Sequence, residues 1–295
     1  MTEAAARAAS WRATLFVVLA ACGFGSISVL LVVGKRYGLT LASAMAWRYL
    51  LAVPFLLVIA GAGIRIVTAW RAAALLVIGG LGQVAISGLS LSALRWLDVA
   101  TLGFLFYTFP AWVVLLSAVR GLERVDARKM MALALALGGI VTIVGAPRTA
   151  ALPVIGVTVA LGAAFIYAAY IPLLHWLRGP LTAATASAFI IAGAAAVYLA
   201  AAAWRGELHF LQPAAAWGVV ATLALVCTVG TFIAFLNGLA VLGAVRTAII
   251  STVEPFYTAV LGAIVLGQAA GPGTIVGGAL IAAAVLLLQR QPNPP

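Results

Sequence analysis

The sequence predicts an all-α integral membrane protein with ten transmembrane helices in two inverted five-helix repeats. Of its 295 residues, 65% are hydrophobic and only 8% are charged, whereas a soluble domain is about half apolar and about a quarter charged. The mean hydropathy is +1.21. These values exclude a water-soluble fold, a disordered chain and a disulfide scaffold. The arrangement in repeats rests on an internal similarity between the two halves.

Ten apolar segments are long enough to cross a bilayer, whose hydrocarbon core of about 30 Å requires roughly 20 residues of helix. The predicted spans are 13–34, 39–61, 72–93, 99–119, 128–146, 152–174, 181–203, 214–240, 246–267 and 272–289. The predicted organisation is a cytoplasmic tail (1–12), a first repeat (13–146), a second repeat (147–289) and a second cytoplasmic tail (290–295).

The distribution of basic residues predicts the orientation of the chain. With the N-terminus placed in the cytoplasm, eleven of the 17 Lys and Arg residues face the cytoplasm and five face the outside, and only Arg48 lies within a span. Cytoplasmic loops carry an excess of Lys and Arg, so both termini are expected in the cytoplasm. This bias accounts for the net charge of +11, and no nucleic-acid partner is expected.

An internal repeat relates the two halves. Residues 108–145 align without a gap with 253–290, so that Pro110 matches Pro255 and Glu123 matches Gln268. Because each repeat contains five helices, an odd number, the second repeat must enter the membrane in the opposite orientation. Inverted repeats are typical of secondary transporters, which bind substrate between the repeats near the membrane midplane.

Several short motifs resemble the EamA type of the drug/metabolite transporter superfamily. They are Trp47-Arg48-Tyr49, Thr108-Phe109-Pro110, Gly121-Leu122-Glu123, Glu254-Pro255 and Leu266-Gly267-Gln268. The resemblance covers nearly the whole chain, with one departure at Gln268, where the family pattern usually has Glu. Within the family the chain is most similar to the YddG-type exporters of aromatic amino acids. The resemblance implies ten transmembrane helices and the transport of a small metabolite.

Two ionisable residues lie deep within predicted spans, Arg48 and Glu254. Ionisable groups at this depth are costly and usually face a cavity or a partner. One interpretation is that Arg48 attracts a substrate carboxylate while Glu254 receives an amine or a proton. The alternative is that the two form a structural pair or bind freed backbone carbonyls.

A polar stripe surrounds Glu254. Thr247, Ser251, Glu254 and Thr258 recur at spacings of four, three and four, which places them on one face of a continuous helix. Pro255 lacks an N–H and would free the carbonyl of Ser251. The stripe therefore lines either a wet cavity or a tight contact between helices.

Further candidate residues lie in other spans. Gln83 begins a weaker polar stripe in the third span, and Tyr107, Trp112, Tyr167 and Tyr257 lie within spans, away from the membrane interface where Trp and Tyr concentrate. These rings either line a cavity that stacks apolar substrates or pack in the core. Ser251, Thr258, Arg48 and Glu254 complete the predicted substrate site.

The favoured function is a secondary transporter that exports small amphipathic metabolites, mainly amino acids including aromatic ones, by alternating access. The alternative is a multidrug or other metabolite exporter in which Glu254 exchanges a proton or a cation. An intramembrane enzyme is disfavoured, because such chemistry needs clustered His, Asp, Glu or Cys. No cofactor or metal is expected. The expected partners are a small-molecule substrate, the lipid bilayer of a bacterial inner membrane and, as a candidate coupling ion, the proton.

Overall fold

A computed structural model describes residues 3–93, 95–97, 99–122, 124–144, 153–208, 214–267 and 271–289, and its regular secondary structure in these ranges is helical. The predicted boundary between the repeats at 146–147, the predicted C-terminal tail and the matched pair Glu123 and Gln268 lie outside the described residues.

The first half of the described chain contains seven α-helices. They are α1 (Glu3–Arg36), α2 (Leu41–Ala60), α3 (Ala69–Ala74), α4 (Gly80–Ala93), α5 (Val99–Phe106), α6 (Phe109–Val119) and α7 (Ala127–Val144). A 3-10 turn, Gly61–Ile66, follows α2, and a π-helical segment, Leu75–Gly79, joins α3 to α4. The tail predicted over 1–12 is helical from Glu3 onward, because its run of alanines favours a helix.

The second half of the described chain contains six α-helices. They are α8 (Val154–Arg178), α9 (Ala183–Trp204), α10 (Ala214–Ala224), α11 (Thr231–Ile250), α12 (Val253–Leu266) and α13 (Pro272–Gln289). A second π-helical segment, Leu225–Gly230, joins α10 to α11. The predicted loop between the eighth and ninth spans coincides with a break at Gly243, where the two helical parts of α11 meet, and its φ of 75° and ψ of 174° are accessible to glycine alone.

Six helical stretches of the described chain are long and apolar enough to cross a membrane: Ala8–Arg36, Leu41–Ile66, Ala69–Ser90, Val154–Arg178, Ala183–Trp204 and Ala214–Ile250. Three apolar helices are shorter, at Phe109–Val119, Val253–Leu266 and Pro272–Leu288. The first two of these short helices follow breaks in segments that were predicted to be continuous.

Two predicted spans are broken at corresponding positions of the two repeats. The span predicted over 99–119 divides into α5 and α6, and the span predicted over 246–267 divides into the end of α11 and α12. Proline at 110 and 255 removes one helical N–H and crowds the carbonyl four residues earlier. In each break a threonine hydroxyl donates to the carbonyl three residues before it, Thr108 to Leu105 at 2.6 Å and Thr252 to Ile249 at 2.7 Å.

Helix packing follows the repeat. α1 packs against α11 and α12, and its counterpart α8 packs against α4, α5 and α6. The matched helices α2 and α9 pack together, as do α7 and α13. α2 and α9 also begin with the same cap, since the hydroxyls of Thr40 and Thr182 each accept a hydrogen bond from the backbone N–H three residues later. The two halves therefore share one local architecture.

The start of α1 and the end of α13 lie on the same side of the protein. Arg246 near the end of α11 donates to the Ser10 hydroxyl of α1 at 3.2 Å and to the Leu288 carbonyl of α13 at 3.0 Å. On the other side, the Thr40 hydroxyl donates to the Glu207 carboxylate at 3.1 Å. Both chain ends lie on one side when the number of membrane crossings is even.

Candidate functional site

The wall formed by α1 and α12 positions Glu254. The two helices approach closely at Gly25, where an added Cβ would lie 2.5 Å from the Thr258 hydroxyl and 3.1 Å from the Glu254 carbonyl oxygen. The Thr258 hydroxyl donates to the Gly25 carbonyl at 3.1 Å, and the Ser26 hydroxyl donates to the Tyr257 hydroxyl at 3.4 Å. These contacts hold the first turn of α12 against the middle of α1.

The Glu254 carboxylate lies where the two helix breaks meet. It belongs to the first turn of α12, where the positive end of the helix dipole favours a carboxylate. The hydroxyl of Tyr107, in the break between α5 and α6, faces this carboxylate. Tyr167 of α8 and Cys22 of α1 are its other electrostatic neighbours. All four residues are partly exposed although helices surround them, which indicates an internal cavity.

Aromatic rings form the second wall of this cavity. Tyr167 stacks on Phe106 with ring centroids 5.7 Å apart and lies 4.6 Å from the Phe109 ring. The Tyr107 ring lies 5.8 Å from Phe106, edge to face. A flat apolar surface thus lies beside a carboxylate. This combination can bind a solute that carries a basic group and an apolar or aromatic body.

Arg48 lies apart from Glu254, and the two form no ion pair. Its Nε donates to the Thr228 hydroxyl at 2.6 Å, its Nη2 to the Cys227 carbonyl at 3.2 Å, and its Nη1 contacts the Met45 sulfur at 3.8 Å. Thr228 and Cys227 belong to the π-helical segment between α10 and α11, whose wider turn alters the usual pairing of carbonyls. Arg48 therefore joins the two repeats by binding this segment.

Gln83 also lies with Arg48 and not with Glu254. Its side-chain amide donates to the Tyr49 hydroxyl at 3.2 Å. The Tyr49 ring is stacked on Tyr198 with centroids 5.4 Å apart, and the Arg48 guanidinium carbon lies 4.8 Å from the Tyr49 centroid. The structure thus places the predicted site residues in two polar clusters.

Two further predicted site residues, Ser251 and Trp112, belong to neither polar cluster. The Ser251 hydroxyl is buried in the break after α11 and donates to the Thr247 carbonyl at 2.9 Å. Because of this break, the stripe from 247 to 258 is not one continuous helix face. The Trp112 ring packs edge to face on Phe165 at 5.7 Å, and Phe165 is 43% exposed. Trp112 itself is partly buried, and its indole Nε1 is enclosed without a hydrogen-bond partner among the described residues.

Sequence reasoning did not select several residues of the cavity, namely Cys22, Gly25, Ser26, Phe106 and Phe109. Gly25 belongs to a pair of closely spaced glycines, a pattern that indicates close helix packing. Phe106 and Phe109 flank the break before Pro110, so this proline is the sequence feature from which their place beside the cavity could have been predicted. Nothing in the sequence distinguishes Cys22 or Ser26 from other small residues of α1.

An all-helical fold with two related halves and an internal polar cavity defines a membrane transporter. Both halves match the model of the EamA-like transporter family, over residues 11–145 and 154–290, and the chain belongs to that family. Members of the family are transporters of small molecules rather than enzymes. A solved crystal structure, whose description names no activity, is similar over 93% of this chain and 95% of its own, with a TM-score of 0.72 and 19% identity. That likeness shows the fold alone. No curated protein matches the chain.

Proposed function

We propose that the protein is a secondary transporter that exports small amphipathic metabolites from a bacterial cell, chiefly amino acids and among them aromatic ones. The YddG-type resemblance favours this substrate class. The observation that carries the proposal is the cavity at the two helix breaks, where Glu254 and Tyr107 face the rings of Phe106 and Tyr167. In this proposal the substrate amine binds Glu254 and the apolar side chain stacks on the rings.

The proposed topology has ten membrane crossings with both termini in the cytoplasm. The shared side of Ser10 and Leu288 supports an even number of crossings. Broken helices in corresponding positions of two inverted repeats are a device by which transporters bind substrate at mid-membrane. Alternating access would then arise from rocking of the half-helices α6 and α12 around the cavity.

One observation favours the second candidate, an exporter of organic cations or drugs. The guanidinium of Arg48 binds the π-helical segment and not Glu254, so the cavity presents a carboxylate that has no basic partner among the described residues. A lipophilic cation would meet both the charge and the aromatic wall. A proton could occupy the same carboxylate in the opposite half of the cycle.

The test is flux of radiolabelled phenylalanine in proteoliposomes, with and without a pH gradient, and with leucine, lysine and a lipophilic cation as unlabelled competitors. Saturable flux that leucine competes supports an amino-acid exporter, and a response to the gradient supports proton coupling. Competition by the lipophilic cation alone supports the second candidate. No saturable flux of any of these solutes by folded protein would contradict both candidates.

A further inference from the structure

Arg48 is a buried cation, only 2% exposed, and within the described chain none of its contacts is with a carboxylate. A guanidinium has five N–H donors. Three of them are directed at Thr228, Cys227 and Met45, which leaves two without a partner in the described residues. A buried charge that lacks a counter-charge is costly. An anion bound nearby would offset part of that cost.

Neutral hydrogen-bonding groups lie beside this charge. The Tyr49 ring lies 4.8 Å from the Arg48 guanidinium carbon and is stacked on the Tyr198 ring. The Tyr198 hydroxyl faces Ser87, but among the described residues neither it nor the buried Ser90 hydroxyl has a hydrogen-bond partner. Buried hydroxyls without partners are uncommon and indicate a ligand or a water in the functional state.

The exposed residues of α4 indicate an internal space beside the cluster of Arg48, Tyr49 and Gln83. Leu81, which is 50% exposed, and Gly88 mark the outer face of this helix. Gln83, Ser87 and Ser90 recur at spacings of four and three and so share a different face. Each of these three residues is nevertheless partly exposed. The space between α2, α4 and α9 is therefore lined by one amide and several hydroxyls.

From these observations we infer a second substrate subsite, separate from Glu254, which binds the carboxylate of the transported solute. The hydroxyls of Tyr198 and Ser90 and the amide of Gln83 donate to the carboxylate, and the field of Arg48 balances its charge without direct contact. Arg48 is a positioning residue here, because it also holds the π-helical segment. The inference rests on the proposed transport function and refines the substrate class to solutes that carry both an acidic and a basic group.

Tyr170 lies between the two subsites. It neighbours both Tyr49 and Tyr167, and its hydroxyl donates to the Gly79 carbonyl of the first π-helical segment at 2.5 Å. Tyr170 therefore connects the surroundings of the two subsites. A solute could span them if its acidic and basic groups are well separated.

The test compares the binding of three probes to the purified full-length protein by titration calorimetry. Phenylalanine carries both charges, 2-phenylethylamine only the amine and 3-phenylpropionate only the carboxylate. Tyr198→Phe and Ser90→Ala are each expected to weaken 3-phenylpropionate about tenfold or more, the effect expected for a hydrogen bond to a charged group. Binding of 2-phenylethylamine is expected to be unchanged. Tyr37→Phe, in the turn after α1 and 42% exposed, is the matched control.

Arg48 variants test the charge separately from its contacts. Arg48→Lys keeps the charge and is expected to retain most affinity for 3-phenylpropionate, whereas Arg48→Gln is expected to lose it while 2-phenylethylamine still binds. Equal loss of all three probes in Tyr198→Phe, or unchanged binding of 3-phenylpropionate, would overturn the inference. Failure of all three probes to bind the wild-type protein would instead overturn the proposed function. Binding of 2-phenylethylamine alone would leave transport standing and remove only the carboxylate subsite.

Discussion

Gly25 is the position at which α1 comes closest to the first turn of α12, and Gly25→Ala tests whether that contact positions the site. The new methyl group would lie 2.5 Å from the Thr258 hydroxyl and 3.1 Å from the Glu254 carbonyl oxygen. Rotation of Thr258 relieves the first clash but breaks its hydrogen bond to the Gly25 carbonyl. The second clash involves backbone, so α12 itself must move.

The expected cost follows from these two effects. Overpacking of a filled interior costs about 1–3 kcal/mol, and a lost hydrogen bond costs about 1 kcal/mol. Gly25→Ala should therefore destabilise the α1–α12 contact by roughly 2–4 kcal/mol. If about 1.4 kcal/mol of this cost falls on the substrate-bound state, the affinity for phenylalanine decreases about tenfold. The assays are thermal unfolding in detergent and phenylalanine binding.

Gly162→Ala is the matched control for Gly25→Ala. Gly162 also lies within a long helix, α8, and a Cβ added there would meet no atom within 4 Å. It should leave both the melting temperature and the binding affinity close to those of the wild-type protein. If Gly25→Ala has the melting temperature and the binding affinity of Gly162→Ala, α1 and α12 do not approach closely at Gly25 in the purified protein, and this contact does not position Glu254.

Three other substitutions test separate parts of the structure. Glu254→Gln should abolish saturable transport in proteoliposomes without loss of folded protein, whereas Glu207→Gln, outside the cavity, should transport normally; similar flux from both would contradict the role of Glu254. Gly139→Ala should lower the melting temperature, since its Cβ would lie 2.7 Å from the carbonyl of the matched helix α13, at a cost of about 1–3 kcal/mol. The adjacent Gly138→Ala, with its nearest contact at 4.0 Å, should be neutral, and equal melting temperatures would refute the packing. Tyr170→Phe should cost about 1–3 kcal/mol in unfolding measurements, because a buried carbonyl loses its donor; an unchanged melting temperature would contradict that hydrogen bond.

The fold class and the family were accessible from the sequence because they depend on composition and on residues close together in the chain. Apolar segments of bilayer length predict helices whatever their neighbours are. The prediction that Pro255 frees the carbonyl of Ser251 was wrong, because in the helix break found there this carbonyl accepts a hydrogen bond from the Glu254 N–H at 3.0 Å. The sequence did not predict that the chain leaves the helix at this point, because many prolines in membrane helices are accommodated by a kink alone.

The site was less predictable, since a helical sequence shows the depth of a residue but not the partner that it meets across the bundle. Arg48 and Glu254 were placed at similar depth, yet they bind different elements. The π-helical segment that receives Arg48 is a tertiary feature without a local motif. Substrate binding by the predicted residues remains a prediction that the transport and binding assays will decide.

The repeat also shows how a symmetric scaffold can form an asymmetric site. Under the alignment of Pro110 with Pro255, Glu254 corresponds to Phe109, and under the alignment of Thr40 with Thr182, Gly25 corresponds to Tyr167. The same crossing of helices therefore occurs twice. At one crossing, Glu254 lies against Gly25, and at the other, Phe109 lies against Tyr167.

The consequence is a cavity with a carboxylate at one helix crossing and aromatic surface at the other. At the first crossing, the carboxylate beside a glycine leaves space for a solute. At the second crossing, the two packed rings fill the space between the helices. If the two halves exchange conformations during transport, the polar and apolar ends of the solute would each keep contact with one of the two crossings. An amphipathic substrate fits this division of chemistry better than a uniformly polar one does, because a uniformly polar solute would leave the aromatic wall without a partner.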